Sequence, residues 1–447
     1  MARINEARLG LLAGRRDYRA LREALKDVHD VDVAQFLENL PEDMQLLIFR
    51  TLYKDQAMGV FAELIPEIQQ HIIKSASDSE LSALVEELAV DDAVDMLDEM
   101  PAALVKRVLE NTTVETRELI NQFLRYPDNS AGSIMTVEFT SLRQGMTVED
   151  AIKRIRRIGE DRETIYNCYV TDDNRHLIGV VTVRDILFAG DLEIIYNLME
   201  ENVITVATTE DRETAVNLMA RYGFMSLPVV DAEHRLVGIV TVDDAVDVMA
   251  EEATEDFEKM SAMSPSDKPY LKTGVAAMAK NRIFWLVFLM VSGMITGGIL
   301  GHYEIIFVSV PLLVSFIPML TNTGGNAGSQ ASTMVIRGIA LGEIDMHSIP
   351  AVIWKELRVS VVVGVPLAAV NFVRIAVFNP GSELVALTVS LTMLCTVLLA
   401  NTIGGVLPLL AKLIGADPAL MAAPLIATIV DAVSLVIYSS IAIYLLI

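Results

Sequence analysis

The chain has 447 residues, enough for two to four domains, and 52% of them are hydrophobic. Its formal net charge of −24 is unevenly placed: residues 281–447 carry 6 Lys+Arg and 7 Asp+Glu, leaving 29 basic and 52 acidic residues, a charge of −23, for residues 1–280. That surplus argues against nucleic acid and anionic headgroups as partners and favours cations.

Residues 1–127 lack strand alternation and read as an acidic domain of short helices. Leu40-Pro41, Ile65-Pro66 and Met100-Pro101 each open a new amphipathic segment, because proline suits a first helical turn. Before each proline, Phe36, Phe61 and Met96 are followed two residues later by an acid, Glu38, Glu63 or Asp98. The pattern predicts a small stack of helical repeats. Asp91 and Asp95 fall on one helix face at i,i+4 with Asp92 beside them, either a solvated face or a metal-binding one. No signal peptide is visible at the start, so this region is expected in the cytosol.

Residues 128–252 change pattern. Strand-like runs at Asn167–Val170 and Leu177–Val183 flank a turn at Asp172-Asp173-Asn174, and the same layout returns at Leu227–Val230 and Leu236–Val242. Leu177 to Asp185 aligns with Leu236 to Asp244, so two β-α-β-β-α units are expected side by side. The pair resembles cystathionine-β-synthase (CBS) modules, a regulatory fold that often binds adenosine nucleotides. That resemblance makes Thr182, Arg184 and Asp185 candidates for holding an ATP-like ribose. Cys168 and Cys395 show no CxxC or Cys/His spacing, which argues against a disulfide framework or a zinc site.

An acidic helix is expected to begin near residue 243 and to form, with a linker at Ser264–Pro269, a connecting region over 253–279. Asp244, Asp247 and Glu251 recur at i, i+3 and i+7, and Glu252, Glu255 and Asp256 continue the charge. Like charges at that spacing destabilise a lone helix, and a cation or basic partner would relieve them.

Residues 280–447 read as a membrane domain with five spans, approximately Ile283–Leu300, Ile305–Leu320, Val359–Phe378, Leu384–Leu410 and Leu420–Ile447. The second is short and is expected to continue into the glycine-rich segment after it. Lys280, Arg282, Arg337, Lys355, Arg358 and Lys412 fall on one side, which places the N-terminus in the cytosol and the C-terminus outside a cytoplasmic membrane. Arg374 is the exception, near the outer end of span three, where it is expected to snorkel.

The end of span two reads Pro318-Met-Leu-Thr-Asn322-Thr-Gly324-Gly325-Asn326-Ala-Gly328-Ser-Gln330. Small residues there allow close helix approach or a broken helix, while Asn322, Asn326, Ser329 and Gln330 supply oxygens. Asn401-Thr402-Ile-Gly404-Gly405 repeats the chemistry in span four. The segment Pro418–Ile447 holds one charged residue, Asp431, about 20 Å from its start at 1.5 Å per residue. A carboxylate inside a hydrocarbon layer costs several kcal/mol unless it faces water, a cation or a partner. Asp431 is therefore the first candidate for an ion or proton site.

The order of acidic helical module, paired CBS modules, acidic helix and five-span domain resembles the MgtE family of magnesium channels over nearly the whole chain. The motifs that carry it are Pro318 with Gly324-Gly325-Asn326-x-Gly328-x-Gln330, and Pro424-Leu425-x-Ala427-Thr428-x-x-Asp431; Ala423 stands where a polar residue is expected before Pro424. The resemblance implies a homodimer with a pore on its two-fold axis and Asp431 as the principal Mg2+ ligand. The Ala427 carbonyl, Thr428 and Asn326 would lie nearby, with Asn322, Gly325, Gln330 and Asn401 as further lining. It also implies that Asp91, Asp95, Asp211, Glu213, Asp244, Asp247, Glu252, Glu255 and Asp256 sense intracellular magnesium and close the pore. The alternatives are a proton-coupled divalent-cation transporter and a membrane-anchored nucleotide sensor that transports nothing. No G-x-S-x-G elbow, P-loop or metal-hydrolase spacing occurs, so no enzymatic activity is expected.

Overall fold

The structure, a computed structural model, describes residues 6–98, 100–159, 162–266, 270 and 273–447. Asp267, Lys268 and Pro269 of the expected linker lie outside the described residues. The chain divides into two compact units, Met1–Met249 and Ala250–Ile447.

The first unit opens with ten short helices among the described residues: α1 (Glu6–Gly14), α2 (Tyr18–Leu25), α3 (Asp30–Glu38), α4 (Glu42–Phe49), α5 (Lys54–Ala62), α6 (Pro66–Ser75), α7 (Asp78–Glu87), α8 (Val90–Asp98), α9 (Ala102–Glu110) and α10 (Val114–Phe123). Their starts follow the sequence signals. Pro41 and Pro101 cap α4 and α9, and Pro66 begins α6, where a missing N–H leaves no bond unmade. Ser77 and Glu80 exchange hydrogen bonds in a capping box that starts α7.

Two β-α-β-β-α modules follow: β1 (Phe139–Arg143), α11 (Val148–Ile158), β2 (Thr164–Thr171), β3 (Leu177–Thr182) and α12 (Val183–Phe188), then α13 (Ile195–Leu198), and β4 (Val206–Ala207), α14 (Arg212–Tyr222), β5 (Ser226–Val230), β6 (Leu236–Thr241) and α15 (Val242–Met260). Each module has a three-stranded sheet whose first strand pairs parallel with the second and whose second pairs antiparallel with the third. The expected β-α-β-β-α layout includes a first strand in each unit, but the residues of β1 and β4 have no sign of their own in the sequence because neither shows extended alternation. The modules face each other through Tyr169, Leu177, Val230, Leu236 and Ile239. Across that seam the Tyr169 hydroxyl meets Ser226 Oγ at 2.7 Å. A second continuous core joins the N-terminal helices to the later module, running from Leu9 through Leu97 and Phe123 to Val240 and Val248.

The second unit contains α16 (Val275–His302), α17 (Glu304–Ser309), α18 (Ile317–Ala340), α19 (Ile349–Phe378), α20 (Glu383–Leu413) and α21 (Ala423–Leu446). Among the described residues four segments are long and apolar enough to cross a membrane by length and composition: Val275–His302, Met346–Phe378, Glu383–Leu413 and Pro418–Leu446. α18 has 24 residues but carries the amides and glycines that lower its hydropathy. The run Ile305–Leu320 is not a single helix. Val310 leaves helical geometry, and Pro311 opens a 3-10 turn over Pro311–Phe316 before α18 begins. Tyr438 on α21 fixes this turn by donating its hydroxyl to the Leu313 carbonyl at 2.9 Å. The glycine-rich segment, in turn, is an unbroken helix. The last span is also divided: a 3-10 turn over Pro418–Met421 and an extended Ala422 precede α21. Asp431 thus lies about 12 Å into its helix at 1.5 Å per residue.

Candidate functional site

In the second unit α18 and α21 run antiparallel and pack tightly through absent side chains. A Cβ on Gly324 would meet Thr396, Val430 and Ser434; one on Gly328 would meet Ile426 and the Ala400 backbone. Packing through small residues is a usual means of helix association in lipid, where burial of apolar surface gives little drive. This contact uses the buried stripe of α18. Its opposite stripe is polar and exposed: Asn322, Asn326, Gln330, Thr333 and Arg337 follow at helical spacing. Asn326 donates to the Asn322 carboxamide oxygen at 3.4 Å. Exposed amides at membrane depth cannot be left to hydrocarbon, so the stripe requires water or a partner.

Gly325 packs 3.4 Å from Ala427 Cβ, measured from the Cβ it lacks. Antiparallel packing then sets Asn326 near the level of Ile426 and Asn322 near that of Val430, the residue before Asp431. Asp431 itself is partly exposed and makes no hydrogen bond or ion pair among the described residues. Thr428 donates its hydroxyl to the Pro424 carbonyl at 3.0 Å and keeps lone pairs free. The Ala427 carbonyl already accepts the Asp431 N–H within the helix and has one further lone pair to offer. Asp431, one turn along α21 from Ala427, is therefore near the level of Asn322 on α18, with Thr428 next to Ala427 in the chain. Gln330 lies further along the same stripe. Gly325 and Asn401 are buried within helix packing, away from that exposed stripe. Arg374 does more than snorkel: it donates to the Asn371 carboxamide oxygen at 2.9 Å and lies over the Phe316 ring.

In the first unit carboxylates converge from four segments. Burial, then the charges of Asp92 and Asp244, push the Asp91 carboxyl up to about 8. Its Oδ1 is buried without a hydrogen-bond partner among the described residues. Asp92 rises to about 6 through desolvation and the charges of Asp244, Glu163, Glu63 and Asp243, although the residue keeps an exposed edge. Asp244 also rises to about 6, mainly by burial, against the pull of a 2.5 Å hydrogen bond from Thr241. Asp247 adds its charge to Glu63, whose carboxyl is raised first by burial. No group of three potential ligand side chains is arranged as a ready metal cage among the described residues. The cluster is a crowd of like charges rather than a preformed chelate.

The sequence places Asp92 beside Asp91 and Asp243 beside Asp244 but does not bring Glu63 and Glu163 to them, because the convergence joins α8, the end of α5, the approach to β2 and the start of α15. Asp95 is exposed one turn beyond Asp91. Asp211 caps α14 by accepting the Glu213 N–H at 2.8 Å. Glu252, Glu255 and Asp256 form a separate group toward the end of α15, with Lys259 and Asp417. At the nucleotide candidates, Thr182 donates to Asp185 at 2.5 Å and accepts its N–H in return, a capping pair that starts α12, with Arg184 exposed beside it. The Thr-x-x-Asp repeat therefore has a structural reason that requires no ligand.

Residues 317–441 match the family described as MgtE divalent cation transporter, residues 28–129 the MgtE intracellular N domain, and residues 131–191 and 194–251 CBS domains. Over 430 residues, 95% of both chains, the sequence is 37% identical to the magnesium transporter MgtE of Thermus thermophilus. The chain belongs to the MgtE family. The magnesium transporter MgtE of Bacillus subtilis is 30% identical over 424 residues, 95% of this chain and 93% of that one. The crystal structure of the cytosolic domain of the Mg2+ channel MgtE in complex with ATP superposes with a TM-score of 0.52 at 37% identity, covering 54% of this chain and 99% of that one. The soluble part of a magnesium transporter gives the same TM-score at 30% identity, covering 56% and 98%. Magnesium transport across a membrane is therefore the function class of this MgtE protein.

Proposed function

We propose that the chain is a magnesium channel of the cytoplasmic membrane that intracellular magnesium closes. The observation that carries the gating reading is the Asp91–Asp92–Asp244 group, with a buried, unpartnered Asp91 oxygen. Without a cation, ionising these carboxyls sets like charges against each other in a partly desolvated place. Magnesium gives up water reluctantly and is commonly held through one or two carboxylates and retained waters. A crowd of acids that forms no tight cage suits such a hydrated dication. Its binding would draw α8 toward the first turn of α15 and so fix the position of that helix.

For conduction, Asp431 is the ligand we assign, assisted by Thr428, the Ala427 carbonyl, Asn326 and Asn322. One acid per chain and two chains per pore would match the charge of one hydrated magnesium ion. The exposed amide stripe of α18 supports a homodimer, since a polar surface within the membrane needs cover that lipid does not give. We further assign the N-terminus to the cytosol and the C-terminus outside, with domains at 1–127, 128–252, 253–279 and 280–447. ATP is a candidate ligand of the CBS pair through Arg184, Thr182 and Asp185.

The deciding experiment records magnesium current in excised patches while magnesium on the cytosolic side is varied, with no proton gradient. Wild type conducts at low internal magnesium and closes as it rises. Asp91→Asn, Asp92→Asn and Asp244→Asn combined conducts equally but stays open. Inhibition unchanged in the triple variant would sink the gating reading, and current that needs a proton gradient would sink the channel.

A further inference from the structure

The end of α15 carries a cation of its own. Lys259 Nζ lies 2.5 Å from Glu255 Oε1 and 2.6 Å from Asp417 Oδ2. Both partners of the Lys259–Asp417 pair are shielded, with side chains 21% and 30% exposed, whereas every other Lys or Arg ion pair among the described residues, apart from Lys259–Glu255, has a partner more than 35% exposed. Shielding separates this pair from surface ion pairs, most of which contribute little. Burial alone would lower the Lys259 ammonium, but hydrogen bonds from Lys259 to Asp417 and Glu255 hold it above the usual lysine range.

Asp417 works with both oxygens. While Oδ2 accepts from Lys259, Oδ1 accepts the Ala419 N–H at 2.8 Å and caps the 3-10 turn Pro418–Met421. The Met421 carbonyl at the end of that turn accepts from Ser332 on α18 at 2.8 Å. After Ala422 the chain enters α21, and Asp431 follows two turns later. A run of short, directed bonds thus leads from the last turn of α15 into the start of the helix that bears Asp431.

We propose that Lys259 is a positioning residue that couples the connecting helix to α21 by gripping Asp417. Displacement of α15 is passed through this pair to the Pro418–Met421 turn and so to the first turn of α21. The proposal rests on the gating reading above and adds where the signal enters the membrane unit. It also gives Glu255 a role other than metal ligand, as the second anchor of the same ammonium.

The test measures magnesium current against internal magnesium in the full-length protein carrying Lys259→Met, Lys259→Arg, Asp417→Asn, or the exchange Lys259→Glu with Asp417→Lys. We expect Lys259→Met and Asp417→Asn to raise the half-inhibiting magnesium concentration by about fivefold or more, with current in magnesium-free solution within about twofold of wild type. Lys259→Arg keeps the charge and the wild-type midpoint, and the exchange restores it. A wild-type midpoint in both single variants overturns the coupling while leaving channel gating intact. Lower current with an unchanged midpoint also overturns it, because the pair is then structural only. If wild type itself is not inhibited by internal magnesium, the gating reading falls and the coupling with it.

Discussion

Gly404 on α20 lies against the carbonyl oxygen of Gly328 on α18, so closely that any side chain at 404 would overlap it. Backbone meets backbone here, and a methyl group can be admitted only if the helices separate. We expect Gly404→Ala to cost about 1–3 kcal/mol through overpacking and to reduce magnesium uptake. Gly301→Ala, at a glycine with open space around it, should be neutral. Thermal midpoints of the two variants in detergent, measured beside uptake, check this contrast.

Asp431 is the one acid on α21 and lacks a protein partner among the described residues. Asp431→Asn and Asp431→Ala should each lower uptake in a magnesium-starved host by about tenfold or more, because the neutral side chain no longer offsets the dication in the membrane. Expression and detergent stability should hold, since no bond is lost. Uptake at the wild-type rate in Asp431→Ala would remove this residue from the ion path.

The raised carboxyls of the first unit make a pH prediction with a definite sign. Unfolded aspartates lose their protons near pH 4. In the folded chain Asp92 and Asp244 keep theirs to about 6 and Asp91 to about 8. Between those values the folded state binds more protons, so stability falls as pH rises from about 4 to about 8. Magnesium competes for the same oxygens, so its stabilising effect should be larger at pH 8 than at pH 6. The first thermal transition of the detergent-solubilised chain, measured with EDTA and with magnesium at both values, reports this. Asp91→Asn should flatten the slope.

Tyr438 holds the Pro311–Phe316 turn by a buried hydrogen bond to Leu313. Tyr438→Phe strands that carbonyl and should destabilise the membrane unit by about 1–2 kcal/mol. Differential scanning of purified protein would show the loss; an unchanged midpoint would mean that the turn holds without this bond.

The features most legible in the sequence were those that contrast with their surroundings. Asp431 and the amides of Asn322 to Gln330 stand out in apolar runs, and the repeat from Leu177 to Asp185 announced both CBS modules. The division of the second span had a local sign in Pro311, which the length of the apolar run concealed. What could not be read were meetings between distant segments. Glu163 joins Asp92 and Asp244 only through the fold, and Lys259 finds Asp417 across 158 residues. The Thr182–Asp185 pair shows the converse: a motif correctly tied to its fold can owe its residues to starting a helix.

The hydroxyl groups of the membrane helices are largely spent on their own backbones. Thr321, Ser329, Thr402 and Thr428 each donate to a carbonyl one turn earlier. Such a surface turns lone pairs outward and keeps protons inward. The outermost atoms of a hydrated magnesium ion are all hydrogens seeking acceptors, so these hydroxyls would meet it with matching polarity, while a chloride ion would find none of their protons turned toward it. Discrimination by sign of charge could then begin with the way serine and threonine sit on an α-helix, before any carboxylate is reached.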